Sequence, residues 1–454
     1  MRRSHCFSTV AATPNSQSSK GIDTVRSYRR AWAVSIVLAL LSVVSFLDRQ
    51  VLAVLVSDIR SELLITDVQL GWLMGPAFFI VYNVTLIPAA FVVDRWNRKW
   101  LITLGVVIWS VLTVGSGFAQ SYEQLLWLRA GVAFGEALLG PAAISMIGDM
   151  FERNDRPLPT AAYVAGSTVG STGSALMSAM VLQWVSGLHV ILPWIGAAEP
   201  WRLTLIGVGV PGLVLALVFV LASKEPPRED LGRIDTDSKS LTLTHLKSYG
   251  WFYTCAFLGL ALLLMNLASI ALWAPTFFAR TFDLTAIEAG YRVGLAALVG
   301  GVSGTIVLPA IIRYLIRSKR IDAMVNLVML CIVGAAGSAY FAGNSGNIIV
   351  AMVLIFIFMF CAGAVGIMPT LIVQLYTPSN LRGRLSAVVF FLIYLLAFGL
   401  APVLVPMTAE YYYVGEGALG EAIGQVALAS GLLSLVLFAS ARSGFHSAER
   451  DVST

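Results

Sequence analysis

In the run VVSFLDRQVLAVLV, Val43 to Val56, an aspartate and an arginine stand side by side among apolar residues. A second run, LWLRAGVAFGEALLGPA from Leu126 to Ala142, holds Arg129 and Glu136 in the same kind of setting. An ionised side chain inside a bilayer costs roughly 2.5–3.5 kcal/mol on insertion scales, so it is kept for pairing, proton movement or substrate. Arg129 and Glu136 are separated by two helical turns and share a face. At 1.5 Å per residue, Asp48 and Arg129 fall ~12 and ~10 Å below the outer surface, and Glu136 about 20 Å below it. Burial favours a neutral carboxyl, whereas a nearby guanidinium favours an ionised one. Moving Arg129 between Asp48 and Glu136 would therefore load or release a proton. The alternative is a static ion pair, but one arginine shared by two acids leaves one acid uncompensated. Arg49 points about 100° away from Asp48, free to pair elsewhere or to meet the headgroup of a bound lipid.

The elements that must hold these residues are set by composition. The 454-residue chain is 57% hydrophobic and 12% charged, with a mean hydropathy of +0.81. Soluble domains carry about a quarter charged residues, so this is a membrane protein. Apolar runs of about 20 residues span a bilayer. Twelve occur, near 32–57, 69–93, 100–120, 123–150, 159–186, 201–223, 249–279, 286–314, 321–342, 347–376, 383–409 and 418–441. Both tails and the even-numbered gaps hold 24 of the 30 Lys and Arg residues, which places both termini in the cytoplasm. The polar stretch SKEPPREDLGRIDTDSKSLT separates two halves. The domain reading is therefore a tail over 1–30, a six-helix bundle over 31–223, a linker over 224–247, a second bundle over 248–443 and a tail over 444–454. Gly135, Pro141 and Arg156 have the same spacing as Gly363, Pro369 and Arg384, on the fourth and tenth spans, as a six-plus-six duplication requires. A duplicated twelve-span chain with a cavity between its halves is a transporter architecture.

Other chemistry is disfavoured. Cys6, Cys255, Cys331 and Cys361 show no metal or redox spacing, and His5, His189, His245 and His446 fall in tails or loops. No GxxxxGK[ST] motif is present, so neither ATP nor another cofactor is expected, and the formal charge of +5 reflects topology rather than nucleic-acid binding. An intramembrane hydrolase would need a Ser/His, metal or paired-aspartate set. The second half holds almost no ionisable groups away from its span ends, where Arg280, Asp283, Glu288 and Arg292 cluster. Its polarity comes from Asn266, Trp273, Thr370 and Gln374, the candidate substrate contacts beside Arg49. A titrating half facing an apolar half suits an amphipathic substrate, headgroup toward the first and tail toward the second. Gly166, Gly170 and Gly173 in the fifth span either line a channel or permit close helix packing, the commoner role of such a run.

The loop AAFVVDRWNRKW, Ala89 to Trp100, resembles the signature loop of the major facilitator superfamily. Asp94, Arg95, Arg98 and Lys99 match it, while Ala90 and Asn97 stand where glycines are usual. The resemblance implies that Asp94 faces the start of the eleventh helix and that Arg95 reaches Asp149 or Glu152. With Arg153 close by, these residues would form a cytoplasmic gate. The matching loop of the second half, LPAIIRYLIRSKR, lacks the aspartate. SFLDRQVLAVL, QLGWLMGPAFFIVY, the Asp-Arg loop and the Gly-Glu segment at 135–136 together resemble the Spinster branch, linked to lysophospholipids and sphingosine phosphate in animals. The resemblance implies an all-α membrane fold of two pseudo-symmetric six-helix bundles in a cell membrane of the bacterial inner-membrane type. It further implies a monomer among membrane lipids that moves an amphipathic substrate by alternating access, coupled to protons through Asp48, Glu136 and Arg129. A small organic solute is the other substrate class, and a non-transporting receptor the other kind of protein.

Overall fold

The computed structural model describes residues 15–152, 154–228, 239–318, 320–377, 379–413, 415 and 417–445, with side chains from 28 onward except at 239–248, 321, 364–365, 379–384 and 387. Residues 1–14, 229–238 and 446–454 of the expected tails and linker, and Arg153 of the expected gate, lie outside the described residues. Twelve long helical paths follow the apolar runs. In the first half they are Tyr28–Leu63, Asp67–Arg95, Arg98–Ser116, Tyr122–Met150, Pro157–Ser186 and Pro200–Ala222. In the second half they are Tyr249–Thr281, Ala286–Arg317, Asp322–Gly343, Ile348–Tyr376, Val388–Tyr412 and Ala418–Phe445. They are called the first to twelfth spans below. Among the described residues 11 helices are long and apolar enough to cross a membrane. The fifth, at 30 residues, has the length, but its Gly, Ser and Thr dilute its hydropathy. The helix that carries the seventh span begins at Lys239, so it reaches into the stretch expected as linker.

Span starts carry the caps that their sequences provide. The Thr66 hydroxyl accepts from the Gln69 backbone N–H in a reciprocal capping box, and Asn97 and Ser121 cap the third and fourth spans. Several spans are interrupted near their middles. The first changes course at Val51, the second at Gly75–Pro76, and the fourth at Ala137–Leu138 between helices Tyr122–Glu136 and Leu139–Met150. The eleventh passes through a π-helix, Leu395–Leu400, before Pro402. Asp48 and Arg49 immediately precede the first of these breaks, and Glu136 immediately precedes the fourth-span break.

Glycines set the tightest seams. A Cβ on Gly166 would lie 2.4 Å from the Ala39 carbonyl oxygen, and one on Gly170 would lie 2.8 Å from that of Val43, so the first and fifth spans pack backbone to backbone. Gly173 instead meets Leu298 of the eighth span. Gly290 and Gly294 receive Ala179 and Leu176 of the fifth span and thereby join the two halves. The duplicated glycines of the fourth and tenth spans do different work. Gly135 packs on Gly105 of the third span, whereas Gly363 packs on Gly304 of the eighth.

Adding bulk at the first seam tests this packing. Gly166→Val should cost about 1–3 kcal/mol by overpacking, seen as a lower melting temperature of the detergent-solubilised protein. Gly337→Ala, where a Cβ meets nothing within 4 Å, should leave the melting temperature unchanged or raise it.

Candidate functional site

Four ionisable residues meet inside the first bundle, as two pairs rather than one shared arginine. Arg129 Nη1 donates to Asp48 Oδ1 at 3.0 Å, and its Nη2 donates to the Asp48 carbonyl oxygen at 3.0 Å. The other carboxylate oxygen of Asp48 accepts from the Thr113 hydroxyl at 2.6 Å. Arg49 Nε donates to Glu136 Oε2 at 2.5 Å, and the Ser45 hydroxyl donates to the same oxygen at 2.8 Å. Asp48, Arg129 and Glu136 are each 1% exposed. Arg49 remains partly open, and its guanidinium carbon lies 4.7 Å from the Phe46 ring centroid and 4.6 Å from that of Tyr82, an aromatic bed suited to a cation.

Arg129 therefore does not divide itself between the acids, as the sequence led us to expect. The 100° turn between Asp48 and Arg49 sends Asp48 toward the third and fourth spans and swings Arg49 to Glu136. The expected uncompensated acid thus acquires its own guanidinium. The two carboxylates differ in how fully they are bonded. Both oxygens of Asp48 are engaged, whereas Glu136 Oε1 is buried without a hydrogen-bond partner. Thr113, Ser45 and Tyr82 escaped the sequence reading. Ser45 shares a helix face with Arg49 four residues on, a usable signal, but nothing in the sequence points Thr113 at Asp48.

Arg49 lines a small cavity between the halves together with Phe79, Tyr394 and Phe398. A neighbouring cavity of about 180 Å³ is shared by Phe46 and Gln50 of the first span, Ser171 and Thr172 of the fifth, and Met359 and Pro369 of the tenth. The polar residues expected here from the second half are placed otherwise. Asn266 is buried, donating to the Ala427 carbonyl at 3.2 Å and accepting from Ser430 at 2.7 Å. Trp273 is buried and donates to the Pro402 carbonyl at 3.0 Å. Both lie on the face of the seventh span that packs against the eleventh and twelfth, while Leu264, Leu267 and Ala271 face the cavity. Thr370 and Gln374 are exposed beyond the cavity, toward the end that carries the basic loops.

At that basic end, Arg98 takes the place expected of Arg95. It is 1% exposed, pairs with Asp149, donates to Glu225 at 2.8 Å and to the Ser145 hydroxyl at 3.1 Å. The Glu225 carboxylate also accepts from the Lys99 backbone N–H at 2.8 Å, and Lys99 Nζ reaches the Ser223 carbonyl at 3.0 Å. The second span ends at Arg95, which is exposed like Glu152, while Arg98 opens the third span and so lies against the fourth. Asp94 is exposed. The helix expected to face it, Ser379–Tyr394, touches the second span, but the side chains of 379–384 lie outside the described residues. At the opposite end the halves are joined. Arg280 grips Asp67 with Nη1 at 2.5 Å and Nη2 at 2.9 Å, and the Tyr291 hydroxyl donates to Gln183 at 2.5 Å. Gly71 abuts the Pro402 carbonyl there. Asp67 carries no signal in the sequence that marks it as the partner of Arg280.

Comparison with known proteins agrees with this architecture. Residues 38–440 match the Major Facilitator Superfamily, and the chain belongs to that family of transporters. It is 27% identical over 359 residues to Protein spinster homolog 1 of Homo sapiens, covering 72% of this chain and 63% of that one. It is 28% identical over 287 residues to an MFS-type efflux pump of Mycolicibacterium smegmatis, covering 62% of each chain, so it spans under two thirds of both relatives. A D-galactonate transporter of Escherichia coli O6:H1 is 24% identical over 424 residues, 87% of this chain and 92% of that one. Among solved structures, a bacterial homologue of the human lysosomal transporter Spinster, inward-facing and unoccupied, superposes with a TM-score of 0.78 at 23% identity. It covers 93% of this chain and 98% of that chain.

The pairing is open to a double-mutant cycle. Arg129→Ala should destabilise the protein by about 3–5 kcal/mol, because it strands the Asp48 carboxylate in a dry interior. Asp48→Asn with Arg129→Ala should recover most of that loss. Thermal unfolding of the four proteins measures the coupling energy; additive effects would refute a buried pair.

Proposed function

We propose that this member of the superfamily is a proton-coupled secondary transporter of an amphipathic anion, with Glu136 as the main proton acceptor and Arg49 as the residue that the proton releases. The observation that carries this reading is the bonding of Glu136. Its Oε2 holds Arg49 and Ser45, and its Oε1 has no partner. A proton arriving on Oε1 breaks no existing hydrogen bond and cancels the charge that holds Arg49. Arg49 already borders the cavity between the halves, so its freed guanidinium can bind the anionic headgroup of a substrate. Asp48, bonded on both oxygens and paired with Arg129, is the more static of the two acids and sets the position of its neighbour. Proton entry and substrate binding then meet at one ion pair, and a rocking of the halves carries both. On this reading the Arg280–Asp67 contact closes the outer face and the cavity opens toward the cytoplasm. Asp94, Arg95, Arg98 and Lys99, with Asp149, Glu152, Glu225 and Arg153, would close the inner face in the other state.

The apolar lining from the seventh, tenth and eleventh spans, together with the likeness to Spinster proteins, favours a lysophospholipid or sphingolipid-like substrate. A second reading is a small organic acid such as a hexonate, favoured by the near full-length likeness to the galactonate transporter. Arg49 would serve a carboxylate as well as a phosphate.

Two measurements test the coupling and the substrate. Spin-label distances across the basic end, titrated from about pH 4 to 8.5 to bracket ordinary and burial-raised carboxyl values, should shift with pH in the wild type. Glu136→Gln should abolish most of the shift, Asp48→Asn should move its midpoint, and the double amide should not respond. A wild-type titration in the double amide leaves the static-pair reading in place.

In liposomes with an inward proton gradient, the protein should accumulate lysophospholipid and not galactonate, and Arg49→Ala should reduce uptake by at least tenfold. The reverse preference selects the organic-acid reading.

A further inference from the structure

The two halves treat equivalent seams differently. The first and fifth spans are sealed by Gly166 and Gly170. The pseudo-equivalent seam, between the seventh and eleventh spans, is held open toward the basic end. Its eleventh-span face presents Leu385, Val388, Val389, Leu392, Ile393 and Leu396, with no small residue to admit a neighbouring backbone. Gly259 of the seventh span, which could have closed it, is instead packed against Ser434 of the twelfth. The result is an apolar crevice of about 410 Å³, walled on the seventh-span side by Thr254, Phe257, Leu258 and Ala261. That volume lies within the roughly 300–1,000 Å³ range of small-ligand pockets. Tyr253 borders it, but its hydroxyl is committed to the Tyr376 carbonyl at 2.8 Å. Leu258, Val388 and Leu392 form an accessible rim, 38%, 55% and 47% exposed.

The crevice adjoins the central site. Ile393 lines both it and the cavity that Gln50 and Phe46 face, and Phe46 and Gln50 also border the cavity that holds Arg49. The order of neighbouring cavities thus leads from a guanidinium, past Tyr394 and across Ile393, to a compartment lined almost wholly by hydrocarbon. We propose that the seam between the seventh and eleventh spans holds the single acyl chain of the transported amphiphile while its anionic head lies at Arg49. The proposal rests on the amphipathic reading above and adds where the chain goes. A polar solute gains nothing from such a lining, which offers it no hydrogen-bond partners. Extended hydrocarbon fills it without leaving a polar group unpaired.

The test uses a lysophospholipid with a diazirine at the end of its acyl chain, photolysed on the full-length protein in lipid nanodiscs, with adducts mapped by mass spectrometry. Expected adducts lie within 250–261 and 385–396 and are suppressed by excess unlabelled lysophospholipid. Leu258→Trp and Val388→Trp, each filling the crevice from its exposed rim, should lower those adducts to the level found at exposed residues such as Ile306. Competable adducts confined to the central cavity, at Phe46 or Met359, overturn the crevice site and leave the amphipathic reading standing. Crevice adducts that unlabelled lysophospholipid does not suppress mark a bilayer-lipid site and also overturn the proposal. Adducts at exposed faces alone, with no competition anywhere, overturn both readings.

Discussion

A charge taken out of water must bring its counter-charge with it, and the first bundle is arranged around that demand. Asp48 and Arg49 are neighbours of opposite sign that diverge around the helix. Each finds its complement on the same partner, the fourth span, at residues two turns apart. The two pairs fix the axial register of the first and fourth spans together, since sliding one past the other by a turn would pull both guanidinium groups away from their carboxylates. Thr113 and Ser45 refine the contacts from either side. The helices of both spans are interrupted beside these charges, at Val51 and at Ala137–Leu138.

The rest of the fold is an exercise in how closely helices approach where lipid tails offer no hydrophobic drive. Glycine seams bring the first span to the fifth, the eighth to the tenth, and the fifth to the eighth across the halves. Where glycine is missing, space remains, and the space is apolar because the second half spends its polar groups internally. Asn266 joins the seventh span to the twelfth, and Trp273 joins it to the eleventh. The contrast between a charged half and a hydrocarbon half is therefore produced by pairing in one and by saturation of hydrogen bonds in the other.

The number and order of the helices were legible because apolar length is a one-dimensional property that burial in lipid imposes directly. The ionic residues were legible for the same reason: their cost makes them conspicuous. Their pairing was not. Depth along a helix follows from residue count, and depth correctly matched Asp48 to Arg129. The azimuth of Arg49 relative to the fourth span depends on how the spans cross and on the break at Val51, neither of which a period reveals. Asn266 and Trp273 were misjudged because polarity within an apolar run marks a satisfied contact as readily as a binding site. The shift from Arg95 to Arg98 follows from where one helix stops and the next begins, a boundary that sequence patterns locate only to within a few residues. Asp67 and Glu225 were missed because each lies in a loop or at a helix start, where an acid is the ordinary choice.

The fourth span draws these threads together. Its first segment carries Arg129 and ends at Glu136; its second segment ends near Asp149, which Arg98 and, through it, Glu225 hold at the basic end. A continuous helix would pass any tilt at Asp149 straight to Glu136. Under the proposed function, the interruption at Ala137 and Leu138 is where the second segment turns about the first, so the Asp48–Arg129 pair stays closed while the basic end rearranges. Arg49 stands beside that interruption, bonded to Glu136, the last residue before it, and facing the cavity. It is the one guanidinium of the set whose release costs no second buried charge once Glu136 is neutral, because its own head can remain on the aromatic faces of Phe46 and Tyr82 and in the cavity's polar margin. Under the proposed function, that difference between Arg49 and Arg129 is what separates a moving pair from a fixed one.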